Sequence, residues 1–440
     1  MYYLGIDIGT SSICGVVYDI AKNKIESINK DNDSDIETPY SWEKIQNPTR
    51  ILFIVEEIIN HFFQKFPLIK GIGIAGQMHG IIYVDSEGNA LSSLYTWQDN
   101  RGNLIYKNGL TYVQFLRKMT NHFVASGYGI VTHFYNIINN IVPPNASKIC
   151  TIMDYVVMKL TGTKEPSIDQ SNAASLGFYD IKKKIFDNKA LKNVGINISF
   201  LPIICESATV IGYFNNDVPV YLALGDNQAS FLGSVKNIQN SIHITIGTSS
   251  QISIFTDKYI EIETLELRPF LRDGYILVGA GLCGGRSLTV LKSFFENTVK
   301  LLTGSSDGNI DFYDVLNTIE YHDDNNESLK VNTFFDGTRK NPLLRGSITN
   351  ISTYNLTPEN IMLGFMKGIS QELFEFFKFI PSEVKNEKTI LIGSGNAIKK
   401  NKMLCRVIER HFNCELILSE YDEEAAFGAC IIAIIGDSYK

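Results

Sequence analysis

No glycine–lysine dipeptide occurs anywhere in the 440 residues, so the phosphate loop GxxxxGK[ST] is absent and a P-loop enzyme is excluded. CxxC pairs are absent too. The seven cysteines, at 14, 150, 205, 283, 405, 414 and 430, are odd in number and scattered. That pattern argues against a disulfide frame or a zinc site and predicts reduced thiols in a cytoplasmic protein. Basic runs with interleaved aromatics are missing and the formal net charge is −7, which argues against nucleic acid or an anionic membrane as partner. Long apolar runs are missing as well: the longest late one, Ala429–Ile435, is far too short to span a bilayer. The amino terminus enters a strand-like run at once and carries Asp7, so no signal peptide is expected.

What the chain does contain is a repeat. Ile8-Gly9-Thr10-Ser11-Ser12 recurs as Ile246-Gly247-Thr248-Ser249-Ser250, 238 residues later, each copy between two β-rich segments where a hairpin turn is expected. Glycine permits a tight turn, and the hydroxyls and free N–H groups beyond it can cradle an anion. Two such cradles suggest a duplicated domain gripping one polyphosphate; the alternative is two ordinary Gly/Ser hairpins.

A chain of 440 residues is too long for one core and suits two domains of about 200 residues each. Strands are predicted at Tyr2–Ile8, Ile13–Tyr18, Gly71–Ala75, Val220–Leu224 and Thr389–Ile392, and Ser241–Phe255 restarts the opening hairpin pattern. Helical periodicity covers Ile51–Phe66, Tyr112–Lys118, Phe134–Ile141 and Ile152–Leu160. Thr357-Pro358-Glu359 is a helix start, with Thr as cap and Pro at the first helical position. A further helix follows Gly395 through Arg410, and Glu423–Ile435 closes the chain; Gly304–Asn309 and Tyr321–Glu327 read as polar loops. With the break placed in Gly233–Asn240, the domains run 1–236 and 237–440. Hairpins mixed with helices give α/β domains on mixed sheets.

Phosphate handling is the strongest chemical theme. Besides the two turns there are Gly279-Ala280-Gly281-Leu282-Cys283-Gly284-Gly285 and Gly393-Ser394-Gly395-Asn396, the latter at a strand tip, where α/β proteins place ligands. Asp7, two residues before the first cradle, suits a magnesium ion held through water, or is an edge-strand turn aspartate. Asp226 ends an apolar strand beside Asn227 and Gln228. It is the carboxylate suited to accept a hydroxyl proton in phosphoryl transfer, although a structural turn aspartate has the same look. Gly76-Gln77-Met78-His79-Gly80 and Trp97-Gln98-Asp99-Asn100-Arg101 supply amides, an imidazole, a carboxylate and a guanidinium beside an indole face, a palette for sugars; His79 also reads as a simple loop residue. The one GxSxG match, Gly304–Gly308, lacks the preceding strand of a nucleophile elbow and is read as chance.

Taken together, these segments resemble the FGGY carbohydrate kinases, and within them the sedoheptulokinase-like branch. LGIDIGTSSICGVVYDI is similar to the family's first phosphate motif and ITIGTSSQ to its second, GIGIAGQMHGIIYVDSEG to the ketose-kinase sugar loop, and GDNQAS to the segment bearing the catalytic aspartate. LIGSGNAIKKNKML resembles the adenosine motif and EEAAFGACIIA the terminal helix. TWQDNR, MDYVVMKLTG and DQSNAASLGFYD draw the match toward sedoheptulokinase, with xylulokinase next. The resemblance implies two ribonuclease H-like, actin-like ATPase domains with the active site in a cleft between them, and ATP and Mg²⁺ as co-substrate and metal. It implies Asp226 as base and Asp7 near the metal. Thr10, Ser11, Gly247 and Thr248 would meet phosphate, and Gly284, Gly285, Gly395 and Asn396 the nucleotide. Gln77, Met78, His79, Trp97, Asp99, Arg101 and Asn227 would line the sugar pocket. The expected reaction is phosphorylation of a ketose's terminal hydroxyl, sedoheptulose first and xylulose or another pentulose second. An actin- or chaperone-like ATPase and a sugar-binding regulator are the readings from other classes, and a homodimer stays open.

Overall fold

The computed structural model describes residues 1–304, 311–323, 328–338, 341 and 343–439. Beyond Gly304 the GxSxG match lies outside the described residues, as do the last residues of the expected 321–327 loop. The chain forms two compact units. One comprises Met1–Gly233, Arg268–Gly274 and the segment from Glu423 onward; the other comprises Ser234–Leu267 and Tyr275–Asp422.

The first unit opens with β1 (Tyr2–Ile8), β2 (Ser12–Asp19) and β3 (Lys24–Asp31), an antiparallel meander. Helix α1 (Pro48–Lys65) starts earlier than apolar periodicity alone suggests, because Asn47 accepts from the N–H groups of Thr49 and Arg50 and Pro48 takes the first helical position. Ile51, Ile54, Val55, Ile58, Ile59 and Phe62 bury one face of α1. Strand β4 (Ile69–Gly76) then pairs parallel with β1, placing Asp7 opposite Ala75. Helices α2 (Gly129–Ile138), α3 (Ile152–Thr161) and α4 (Gln170–Leu176) follow. A reciprocal Thr151–Asp154 capping box starts α3, and Gly162 in the left-handed conformation ends it. The expected helix at Phe134–Ile141 instead begins at Gly129 and stops at Ile138, because the next residues turn with Asn140 at positive φ. Strands β5 (Val210–Phe214), β6 (Val218–Tyr221) and β7 (Leu224–Gly225) complete this sheet. Its order is β5–β6–β4–β1–β2–β3, with β7 also on β4. Helix α5 (Asp226–Ser234) leaves directly from β7.

The second unit repeats the opening arrangement. Strands β8 (Ser241–Ile246) and β9 (Ser250–Thr256) form an antiparallel hairpin, and β10 (Gly274–Gly281) pairs with β9. Helices α6 (Gly285–Thr303) and α7 (Pro358–Lys378) follow, the latter capped by Thr357 with Pro358 behind it, as expected. Strand β11 (Ile390–Ser394) runs parallel to β8, as β4 does to β1. Helix α8 (Lys402–Phe412) and β12 (Leu416–Leu418) complete the unit, whose own core gathers Ile242, Ile244, Leu277, Leu288, Met366, Ile369, Leu391 and Val407.

The closing helix α9 (Glu424–Ser438) belongs with the first unit, not with the second half of the chain to which its place in the sequence assigned it. The reason is close packing on β1 and β4. A Cβ on Gly5 would lie 2.0 Å from the Ala426 carbonyl oxygen, and one on Gly73 1.8 Å from that of Ala429, so only glycine lets the helix backbone approach the sheet. Tyr3 donates its hydroxyl to Asp437 at 2.6 Å and ties the far end.

Candidate active site

In the first unit the turn after β1 is bound to the turn after β4. The Gln77 N–H donates to the Ile8 carbonyl at 2.9 Å, and the Asn32 amide donates to the Gly9 carbonyl at 2.8 Å, fixing the loop that carries Thr10 and the exposed Ser11. Beneath it, Asp7 is partly buried, and its Oδ1 is enclosed without a hydrogen-bond partner. Burial first, then the charges of Asp226 and Glu423, push its carboxyl up to about 7. The structure therefore brings Asp7 and Asp226 into one electrostatic neighbourhood although 219 positions separate them.

Asp226 heads α5 where β7 ends. Its Oδ1 accepts from the Asn227 N–H at 2.6 Å and from the Asn227 side-chain amide at 3.1 Å, so both bonds fall on one oxygen. Burial raises its pKa, while those two bonds and the Arg268 guanidinium oppose the rise. Asn227, expected to touch sugar, here donates its side-chain amide to that carboxylate. Met78 packs on the residue before: its sulfur lies 2.7 Å from where a Cβ on Gly225 would stand.

His79 adopts φ +74°, a left-handed conformation that a non-glycine residue holds only when its surroundings impose it. The Ser175 hydroxyl accepts from its N–H at 3.2 Å, the Ser175 carbonyl lies 2.7 Å from Nδ1, and Tyr128 stacks on the ring at 4.5 Å. A carbonyl partner makes Nδ1 a protonated nitrogen, which in the uncharged tautomer makes Nε2 an acceptor. Trp97 is 46 % exposed and gives its indole N–H to the Thr10 hydroxyl at 2.9 Å.

Asp99 and Arg101 are placed otherwise than expected. Both are buried, and Arg101 binds Asp99 through two nitrogens at 2.7 and 3.0 Å, then Asn136 at 2.7 Å and Glu43 at 3.2 Å. Trp42, Tyr95 and Tyr135 enclose the guanidinium. These bonds inside the fold make the pair a brace for the Trp97 loop.

In the second unit the Gly247–Ser249 turn is closed by the Gly247 N–H donating to the Ser249 carbonyl at 3.1 Å. The start of α6 seals against it: the Gly285 N–H donates to the Gly247 carbonyl at 2.8 Å and the Arg286 N–H to the Thr248 carbonyl at 3.0 Å. A Cβ on Gly285 would stand 2.2 Å from the Gly247 oxygen. Gly395, at φ +87°, passes as close to the Ile246 carbonyl as Gly76 does to that of Ile8. Gly247, Thr248, Gly284, Gly285, Gly395 and the exposed Asn396 thus share one end of the sheet. Behind them His243, Ser394 and Thr245 form a hydroxyl–imidazole cluster with spacings of 2.8 and 2.9 Å, in which burial holds His243 down to about 4, so the ring is neutral.

Sequence reading gave no role to Arg268, Glu423, Tyr128 or Ser175: Ser175 lies inside DQSNAASLGFYD and Glu423 opens EEAAFGACIIA, whereas Arg268 and Tyr128 come from segments without a motif. Among the described residues, no group of three or more His, Cys, Asp or Glu side chains forms a metal cage, and no helix is long and apolar enough to cross a membrane.

Comparison with known proteins agrees with this geometry. The sedoheptulokinase of Mus musculus is 26% identical over 99% of this chain and 97% of its own length. The xylulose kinase of Lactococcus lactis is 25% identical, over 99% and 88%. The ligand-bound xylulose kinase structure from Lactobacillus acidophilus superposes with a TM-score of 0.82 at 21% identity, covering 100% of this chain and 90% of that one, and so shares the fold. The N-terminal domain of the FGGY family of carbohydrate kinases matches residues 2–233. The chain belongs to that family, sugar kinases that transfer a phosphoryl group to a hydroxyl.

Proposed function

We propose that the protein is an ATP-dependent ketose kinase that phosphorylates the terminal hydroxyl, with sedoheptulose as the first candidate acceptor and xylulose as the second. The observation that supports it most is Asp226, held on one oxygen by Asn227 and within electrostatic reach of Asp7. Its Oδ2 accepts the proton of the attacking hydroxyl, and the oxygen so released bonds to the γ-phosphorus as the bond to the ADP oxygen breaks. His79 Nε2 accepts a hydrogen bond from a sugar hydroxyl, Gln77 orients another, and the indole face of Trp97 meets the C–H face. Thr10 and Ser11 in the first unit, and Gly247 and Thr248 in the second, offer donors to phosphoryl oxygens. Gly284, Gly285, Gly395 and Asn396 border the nucleoside.

The residues fit a magnesium ion, because Asp7 Oδ1 is a buried hard oxygen without a partner and burial disfavours its bare charge. Bound there, the ion would supply charge neutralisation to the polyphosphate.

The sedoheptulokinase and xylulose kinase names among the relatives favour a ketose of seven or five carbons, with gluconokinases also among them. A coupled ADP-release assay over sedoheptulose, xylulose, ribulose, gluconate and glycerol decides. Ketoses should have the highest kcat/KM. Buried polar groups left unpaired by a three-carbon acceptor cost about 1–3 kcal/mol each, so glycerol should fall orders of magnitude lower. Glycerol as best acceptor overturns the ketose reading; xylulose as best overturns only the seven-carbon preference.

A further inference from the structure

Gln46 sits in the short strand Ile45–Gln46, between Asp35–Ile36 and Leu94–Tyr95, and its side chain is completely buried. Its amide nitrogen donates to the Asp35 carboxylate and to the Thr10 carbonyl, both at 2.9 Å, and its Oε1 accepts from the Gln77 amide at 2.9 Å. Gln77 Oε1 in turn accepts from the Thr10 hydroxyl at 3.3 Å, and Thr10 Oγ1 accepts from the Trp97 indole at 2.9 Å.

Every direction in this chain is forced. A carboxylate only accepts, so Gln46 must face Asp35 with its NH₂ and Gln77 with its oxygen. Gln77 must then turn its NH₂ to Gln46 and its oxygen to Thr10. An indole only donates, so Thr10 receives from Trp97 and spends its one hydroxyl hydrogen on Gln77. The first phosphate turn therefore has its best side-chain donor tied up by the loop that meets the sugar.

We propose that Gln46 is a positioning residue that couples the two substrates, through the polarity it imposes on Gln77 and Thr10. An acceptor hydroxyl that donates to Gln77 Oε1 releases the Thr10 hydrogen for a phosphoryl oxygen, so each ligand tightens the other. This rests on the kinase reading above, in which Gln77 and Trp97 meet the acceptor and Thr10 meets phosphate.

The test is calorimetry on the full chain with the best ketose and a non-hydrolysable ATP analogue with Mg²⁺, each titrated alone and in the presence of the other. Wild type should show a mutual enhancement of about fivefold or more, equal in both directions as linkage requires. In Gln46→Leu the enhancement should fall toward one. Gln46→Met, of nearly the same length and without the oxygen that fixes the Gln77 amide, should lower the enhancement too, which covers the case of a Gln46→Leu variant that does not fold. A purely structural Gln46 would weaken both affinities and leave their ratio unchanged, which overturns the proposal, as does independent binding in wild type. Failure of wild type to bind either ligand would instead sink the kinase reading itself, and the coupling with it.

Discussion

Asp7 and Asp226 stand in one neighbourhood and make different demands on protons. As the proposed base Asp226 has to be ionised, and Asn227 favours that state with two hydrogen bonds. Asp226→Asn keeps the shape and removes the acceptor, so turnover should fall by about 10²–10⁴-fold with ketose affinity by calorimetry nearly intact. Activity within a few-fold of wild type would remove Asp226 from the chemistry. Asp7 ionises near 7 in the folded chain against an ordinary value of 3.8. The folded state then binds the proton more tightly than the unfolded one, so this group's effect is absent below about pH 4, and stability declines as pH rises from there to about 7. Metal-free Asp7→Asn should melt above wild type at pH 8 and together with it near pH 4. Adding Mg²⁺ at pH 8 should raise the Tm of wild type and not of the variant; equal responses would show that Asp7 does not hold the ion. Asp7, Asp226 and the two glycine turns were legible in the sequence because turn chemistry needs particular residues at adjacent positions. That Asp99 and Arg101 pair with each other in the interior was not legible, because a salt-bridged pair and a sugar-binding pair use the same side chains. Gln46 gave no signal, since its partners Asp35, Gln77 and Thr10 are distant in sequence.

Among the elements, α9 carries the sharpest demand on its neighbours. Its backbone lies against Gly5 and Gly73, so Gly73→Ala sets a methyl group 1.8 Å from a carbonyl oxygen that cannot move without the helix. Destabilisation of about 2–3 kcal/mol or more is expected in denaturant unfolding, well above the effect of alanine at Gly247, where a Cβ meets nothing within 4 Å and φ is not positive. Similar values at both positions would mean that the helix yields easily. Strand and helix identities were legible from period and caps, as with Thr357 and Pro358 for α7. The start of α1 was not, because Asn47 and Pro48 extend it beyond its apolar stripe. The address of α9 was hidden for a different reason: an apolar helix states that it will be covered, not by which sheet.

At the scale of the molecule, each unit has its own core, and each proposed ligand has its residues assigned unit by unit. Calorimetric melting should resolve two transitions. Ketose at a hundred times its Kd should raise the first unit's by the equivalent of about 2.7 kcal/mol and leave the other nearly unmoved. One transition shifted equally by ketose alone would contradict separate cores. The twofold plan was legible through the repeated pentapeptide, and the structure gives it physical form: in each unit a hairpin's first strand is flanked by a parallel strand ending at a glycine turn.

The placement of α9 also sets a timetable for synthesis. Residues up to Gly233 leave the ribosome long before Glu424, and the intervening stretch of about 190 residues takes on the order of 10–40 s at common elongation rates. Throughout that interval the glycine-lined face of β1 and β4 waits without its cover, while most of the second unit emerges and can collapse on its own. The half made first is finished last, and the nascent chain offers a chaperone an apolar sheet face until the final helix arrives.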